Sequence, residues 1–153
     1  MIRILAILAC FTVSFASPAF SADAAKPESP SSKPASKKIS LAEFDKARQE
    51  KGVIVLDVRS PEEFNGGHVP GAMTIPISGK GAEDFDARVK ELPKDKPILV
   101  YCRSGVRSAK AVAKMQTLGF EHLADFSGGW IAWKEADKPV EQAGKITQGG
   151  EKK

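Results

Sequence analysis

Cys102 opens a short segment, Cys102-Arg103-Ser104-Gly105-Val106-Arg107, that joins an apolar run to a helix expected from about Ser108. A tight loop ahead of a helix turns its backbone N–H groups inward and makes an anion cradle. The helix N-terminus adds partial positive charge. Arg103 and Arg107 add two full charges. All three effects favour thiolate over thiol at Cys102. Gly105 can take the positive φ that such a loop requires. The same cradle would bind an anionic reactant, so the segment reads as a nucleophilic cysteine acting on something negative. A plainer reading makes Cys102 a small apolar residue closing a strand. In that reading one of the two arginines is a surface ion-pair partner, and Ser104 and Ser108 bond only to loop backbone.

A second strand end carries Asp57-Val58-Arg59, which is expected to fix that end and the neighbouring loop by hydrogen bonds, with either charge bordering the pocket. His68 invites assignment as a base, but a thiolate nucleophile needs none. Trp130 and Trp133 are expected mainly to pack. The chain has two cysteines, Cys10 and Cys102, and two histidines, His68 and His122. No Cys or His pair has zinc-site spacing, so no metal is expected.

These residues need a scaffold. The 153-residue chain, 42% hydrophobic and 27% charged, suits one globular domain. Its net charge of +4 is unevenly placed. Between Ile39 and Pro139 fifteen Lys plus Arg balance fifteen Asp plus Glu. The excess sits in the flanks, which argues against a basic face for nucleic acid. Met1–Ala22 has a positive start, an apolar run and then small residues, the layout of a secretory signal peptide. Cleavage after Ser21 or after Ala24 fits equally. A lipid-bearing Cys10 and an uncleaved anchor are lesser alternatives. After cleavage one cysteine remains, which excludes an internal disulfide, and no stable membrane insertion is expected. The expected location is outside the cytoplasm, in a bacterial periplasm. Residues 23–38, rich in Ala, Lys, Pro and Ser, read as a disordered linker, and residues 141–153 as a disordered tail.

Between the flanks, residues 39–140 form the expected domain. Ser40 to Glu43 and Ser60 to Glu63 are capping boxes. Ile39 and Phe44 form a hydrophobic staple, and Pro61 suits a first helical position. Helices are expected at about 41–51, 61–65, 82–92, 108–118 and 130–137. Strands are expected at 53–56, 72–75, 97–101 and 122–125. Gly52, Gly66, Gly67 and Gly119 are expected stops. The alternation implies an α/β fold, a mainly parallel central sheet with helices on both faces.

Residues 39–139 resemble the rhodanese domain. The matching segments are Leu56-Asp57-Val58-Arg59, Glu63-Phe64, Gly67 to Ala72, Ile75-Pro76, Cys102 to Ser108, Gly128-Gly129-Trp130, Trp133 and Pro139-Val140. In layout the chain is similar to exported single-domain rhodaneses of the phage-shock type. The resemblance implies a thiosulfate sulfurtransferase without metal or organic cofactor. The Cys102 thiolate takes the outer sulfur of thiosulfate as a persulfide, and cyanide, a small thiol or a protein thiol accepts it. The loop N–H groups of Arg103, Ser104, Gly105 and Val106 steady the persulfide, and Arg107, with Arg103, holds the sulfonate oxygens. Asp57, Arg59 and Ser108 support the pocket. A phosphatase or arsenate reductase of related fold would have a Cys-x5-Arg loop, whereas Cys102 to Arg107 is Cys-x4-Arg, a smaller ring. A persulfide carrier and a non-catalytic binding module are the remaining alternatives.

Overall fold

The structure is a computed structural model that describes residues 36–142 and 145–147. All lie in the second of two compact units, Ser32–Lys153. The expected signal peptide, Cys10 and most of the expected linker fall outside the described residues.

Five strands form one parallel sheet: β1 (Lys37–Ile39), β2 (Ile54–Asp57), β3 (Met73–Thr74), β4 (Ile98–Tyr101) and β5 (Leu123–Phe126). Their order is β1-β5-β4-β2-β3. The helices are α1 (Leu41–Ala47), α2 (Pro61–Asn65), α3 (Phe85–Lys90), α4 (Val106–Thr117) and α5 (Gly129–Glu135). Alternating side chains divide the core between two faces. Leu56, Ile98 and Val100 pack with Phe85, Val89, Ala111, Val112 and Met115 beneath α3 and α4. Val55, Leu99 and Tyr101 pack with Phe44, Phe126 and Trp133 beneath α1 and α5. All four residues of β4 are buried, which is why it reads as an unbroken apolar run. On α4 the buried positions Ser108, Ala111, Val112 and Met115 make a single stripe.

Both capping boxes form. The Ser40 hydroxyl accepts from the Glu43 amide while the Glu43 carboxylate accepts from the Ser40 amide, and Ser60 and Glu63 do the same. Ile39 and Phe44 share one core cluster, as a staple requires. Helix α1 ends at Ala47, short of the expected 51. The Gln49 and Glu50 amides turn back onto Lys46 and Ala47, tightening the chain into Gly52 at φ +85°. Helix α4 starts two residues earlier than expected, at Val106. Gly105, at φ +89°, turns the chain, and the Ala109 amide closes the first turn on the Gly105 carbonyl.

Two expectations for the flanks are corrected. The linker was expected to run to residue 38, but Lys37 and Lys38 begin β1 and pair with Ala124 and Asp125 of β5. The tail was expected to be unstructured from residue 141. Instead β6 (Val140–Gln142) pairs antiparallel with β7 (Lys145–Thr147). The start of β6 is anchored to the domain. His68 and Glu141 exchange backbone bonds of 2.8 and 2.9 Å, and the Glu141 carboxylate accepts from the Gly71 amide. Just before β6, the Trp133 indole donates to the Pro139 carbonyl. A polar segment thus gains order by backbone pairing where it has little apolar area to bury.

Candidate active site at the carboxyl edge of the sheet

Strands β2, β4 and β5 end level with one another. Asp57 pairs with Tyr101, and Tyr101 with Phe126. The connections after them therefore leave the sheet side by side, at the edge where sites form in such folds. Cys102 leaves β4 into a turn of three residues, Arg103, Ser104 and Gly105, before α4 begins. Cys102 is buried, and its Sγ accepts the Gly105 N–H at 3.1 Å. The buried Ser108 hydroxyl donates to the Gly105 carbonyl and braces the turn.

The turn is locked from behind by the connection after β5. The Trp130 and Ile131 amides, in the first turn of α5, donate to the carbonyls of Cys102 and Arg103 at 2.8 and 3.1 Å. Two glycines permit this approach. A Cβ on Gly105 would lie 2.5 Å from the Ser127 carbonyl oxygen, and one on Gly129 would lie 2.5 Å from that of Cys102. Gly129 also has φ +58°. Neither position can take a side chain without displacing backbone.

At the end of β2, Asp57 and Arg59 form a buried pair with a shortest contact of 2.6 Å. The guanidinium also donates to the Gly67 carbonyl, so the pair ties the strand end to the following loop, as expected. It lies over the rings of Trp130, at 4.6 Å, and Tyr101, at 5.7 Å. Burial alone would lower the Arg59 pKa. The Asp57 carboxylate outweighs it and holds the pKa above the ordinary arginine value. Burial, followed by the Asp57 charge, raises the Tyr101 phenol well above its ordinary pKa, so it stays neutral. Its oxygen accepts the Val69 amide.

The two loop arginines diverge. Arg107 closes its fork on Glu63 with bonds of 2.6 and 2.9 Å. Its pKa is raised, chiefly by Glu63, with smaller contributions that include the nearby Cys102. Glu63 is lowered, chiefly by Arg107. In this structure Arg107 is therefore an ion-pair partner, and its fork is not free to hold a sulfonate. The Arg103 side chain is exposed and has no hydrogen-bond or ion-pair partner among the described residues. Ser104 is exposed as well.

An open cleft of about 520 Å³ lies beside the loop, with Arg103, Trp130, Ile131, Glu63 and Gly67 in its lining. The sequence pointed to Trp130 as packing, but it is half-buried and lines this cleft, while Trp133 is wholly buried. The sequence marked Glu63 as a helix cap and as part of a matching segment, without a role in the site. Its bond to a residue 44 positions away has no local signal. His68 stacks on Phe64 and bonds to the Phe64 carbonyl through Nδ1, which places it in the scaffold. Among the described residues no group of three His, Cys, Asp or Glu side chains is placed to hold a metal.

Comparison with known proteins agrees with this geometry. The profile of the rhodanese-like domain matches residues 40–136. A sulfurtransferase of Allochromatium vinosum is 34% identical over 88 residues, covering 58% of this chain and 78% of that protein. The chloroplastic thiosulfate sulfurtransferase 16 of Arabidopsis thaliana is 38% identical, covering 56% of this chain and 77% of its own length. Among solved structures, a rhodanese-related protein of Thermoplasma volcanium superposes with a TM-score of 0.60 at 32% identity, covering 70% of this chain and 99% of that one. A rhodanese-like domain protein of Staphylococcus aureus gives 0.59 at 30% identity, covering 70% and 98%. The profile covers more than half of the chain and the solved neighbours share its fold, so the chain belongs to the rhodanese-like domain family, a family of sulfurtransferases.

Proposed function

We propose that this protein moves sulfane sulfur from thiosulfate or a related donor to cyanide or a thiol through a persulfide on Cys102. The observation that carries the reading is the Gly105 N–H held 3.1 Å from Sγ in a turn that opens a twelve-residue helix. The first helical amides have no partner within the helix and are available to an anion seated there. In the first step the Cys102 thiolate attacks the outer sulfur of thiosulfate. The S–S bond of the donor breaks, its electron pair leaves with sulfite, and a Cys102 persulfide anion forms. In the second step the acceptor attacks the terminal sulfur and returns the Cys102 thiolate. Arg103, without an ion-pair partner among the described residues, offers its charge to the donor's oxygens, and the turn amides steady negative charge on sulfur. The reading includes export to a periplasm, resting on the layout of Met1–Ala22. Sequencing the N-terminus of protein recovered from that compartment tests it.

Thiosulfate:cyanide turnover, measured beside Cys102→Ala with mass spectrometry of the thiosulfate-treated protein, tests the chemistry. Turnover with a gain of one sulfur atom, both absent from the variant, is the expected result. Reduced, folded protein that gains no sulfur would overturn the proposal.

A further inference from the structure

His68 has no part in the cysteine turn, yet its ring is held on both sides. It is buried and stacks on Phe64 with ring centroids 3.7 Å apart. Its Nδ1 lies 2.9 Å from the Phe64 carbonyl oxygen. A carbonyl only accepts, so Nδ1 carries the proton, and in the neutral ring Nε2 keeps a lone pair. That lone pair lies 3.8 Å from Glu141 Oε2, which as a carboxylate oxygen also only accepts. Two acceptors face each other until the ring gains a second proton, and the contact then becomes an ion pair.

The contact joins two distant pieces of chain. Around it, β6 is fastened to the loop from Gly66 to Gly71. His68 and Glu141 exchange backbone bonds, the Gly71 amide donates to the Glu141 carboxylate at 2.8 Å, and the Gln142 amide donates to the Gly66 carbonyl at 3.2 Å. The loop in turn forms a wall of the cleft, since Gly66 and Gly67 line it and the Gly67 carbonyl accepts from Arg59. The other charges near the ring are directed elsewhere. Arg59 is closed on Asp57, and Glu63, next to Phe64 on α2, is closed on Arg107. Glu62 on the same helix is exposed, and in the β6–β7 ladder Lys145 stands opposite Gln142, with Ile146 opposite Glu141.

We propose that Val140–Gln142 is a pH-dependent latch on this loop, loose while His68 is neutral and clamped when the ring is protonated, with Glu141 as the counter-charge. Imidazole is the side chain whose ordinary charge change falls between about pH 5 and 8. The docked strap offers the imidazolium a carboxylate that the released strap does not. By linkage, docking strengthens as the pH falls through the imidazole range and weakens as it rises. Because Gly67 holds the Arg59 guanidinium, which lies over Trp130, the clamped strap stiffens that wall of the cleft.

The test is amide hydrogen exchange of the full chain, followed by NMR at about pH 5.5 and about pH 8 and corrected for intrinsic exchange rates. The amides of His68 and Glu141 close the bridge and report release of the strap. The amide of the buried Val58, bonded to the Tyr101 carbonyl, reports global opening. Relative to Val58, protection of the two strap amides is expected to be about fivefold higher at the lower pH. In Glu141→Gln, which keeps an oxygen for the Gly71 amide, that difference is expected to vanish. Wild-type protection that stays level, or that falls toward acid because burial of the ring dominates, would overturn the latch. An undiminished rise in Glu141→Gln would overturn it as well, by removing Glu141 as the counter-charge. Exchange needs no reactant, so the outcome is separate from the sulfurtransferase reading.

Discussion

The ends of β2 and β4 lie side by side in register, Asp57 against Tyr101, yet they handle charge in opposite ways. After β2, the carboxylate and guanidinium of Asp57 and Arg59 satisfy each other, and the loop carbonyl of Gly67 takes a further donor. Both side chains are buried and the charge is spent on structure. After β4, the Cys102 sulfur meets a backbone amide, Arg107 is held off by Glu63, and the Arg103 side chain is exposed, without an ion-pair partner among the described residues. A closed ion pair resists any incoming ion, because its partners already occupy the geometry that the ion would need. A cysteine under fixed amides is the reverse, a site whose donors are oriented before the reactant arrives. The rigid first edge steadies the second through Arg59 over Trp130, whose amide holds the Cys102 carbonyl.

Removing the cysteine at the β4 end has the largest expected effect. Cys102→Ala is expected to abolish persulfide formation while changing the urea midpoint little, since one buried sulfur is the only volume lost. Removing one partner at the other end is expected to do the reverse. Arg59→Ala leaves the Asp57 carboxylate buried without its cation and is expected to cost about 3–5 kcal/mol of stability by urea denaturation. The double change Asp57→Leu with Arg59→Met is expected to recover much of that loss, because the charge and its stranded partner go together. Full recovery of activity with it would show that the β2 end has no part in the site.

The interlock between the two connections gives an intermediate effect. Gly129→Ala forces a side chain onto the Cys102 carbonyl at a positive φ, and about 2 kcal/mol or more of stability is expected to be lost. Because the displaced atoms belong to the turn, persulfide formation is expected to slow even in fully folded protein. Ser60→Ala and Ser40→Ala each remove one capping oxygen and are expected to cost about 1 kcal/mol. Only the Ser60 change loosens Glu63, so only it is expected to alter the rate constant with thiosulfate.

The Glu63–Arg107 pair has a smaller, pH-dependent signature. Glu63 is held below its ordinary value chiefly by Arg107, so its stabilisation is complete above the unfolded carboxylate range. That stabilisation fades as the pH falls through the lowered folded value. In Arg107→Gln the urea midpoint is expected to decline less between neutral and acid pH than in the wild type. An unchanged decline would remove the pair from the account of the β4 end.

Legibility in the sequence followed distance along the chain. Both capping boxes, the staple of Ile39 on Phe44, the stop at Gly52 and the positive φ of Gly105 arise from residues a few positions apart, and local chemistry suffices to read them. The short β1 was missed because Lys37 and Lys38 are exposed and polar. Its order comes from β5, more than eighty residues away, and nothing nearby announces it. The hairpin at the C-terminus was missed for the same reason, its anchor being His68. Trp130 and Trp133 look alike in the sequence, but one lines the cleft and the other is core, since only the former sits at the edge of the sheet.

Local chemistry is enough to read the fold class, the alternation of β2 to β5 with their helices and the cysteine turn as a candidate site, because apolar periodicity, caps and a cysteine ahead of a glycine turn act over a few residues. Tertiary structure alone decided which arginine is free. Arg103 and Arg107 carry the same charge in the same short segment. Only the fold brings Glu63 within 2.6 Å of Arg107 and leaves Arg103 to solvent, because ion pairing depends on separation in space, which sequence spacing does not encode beyond a few residues.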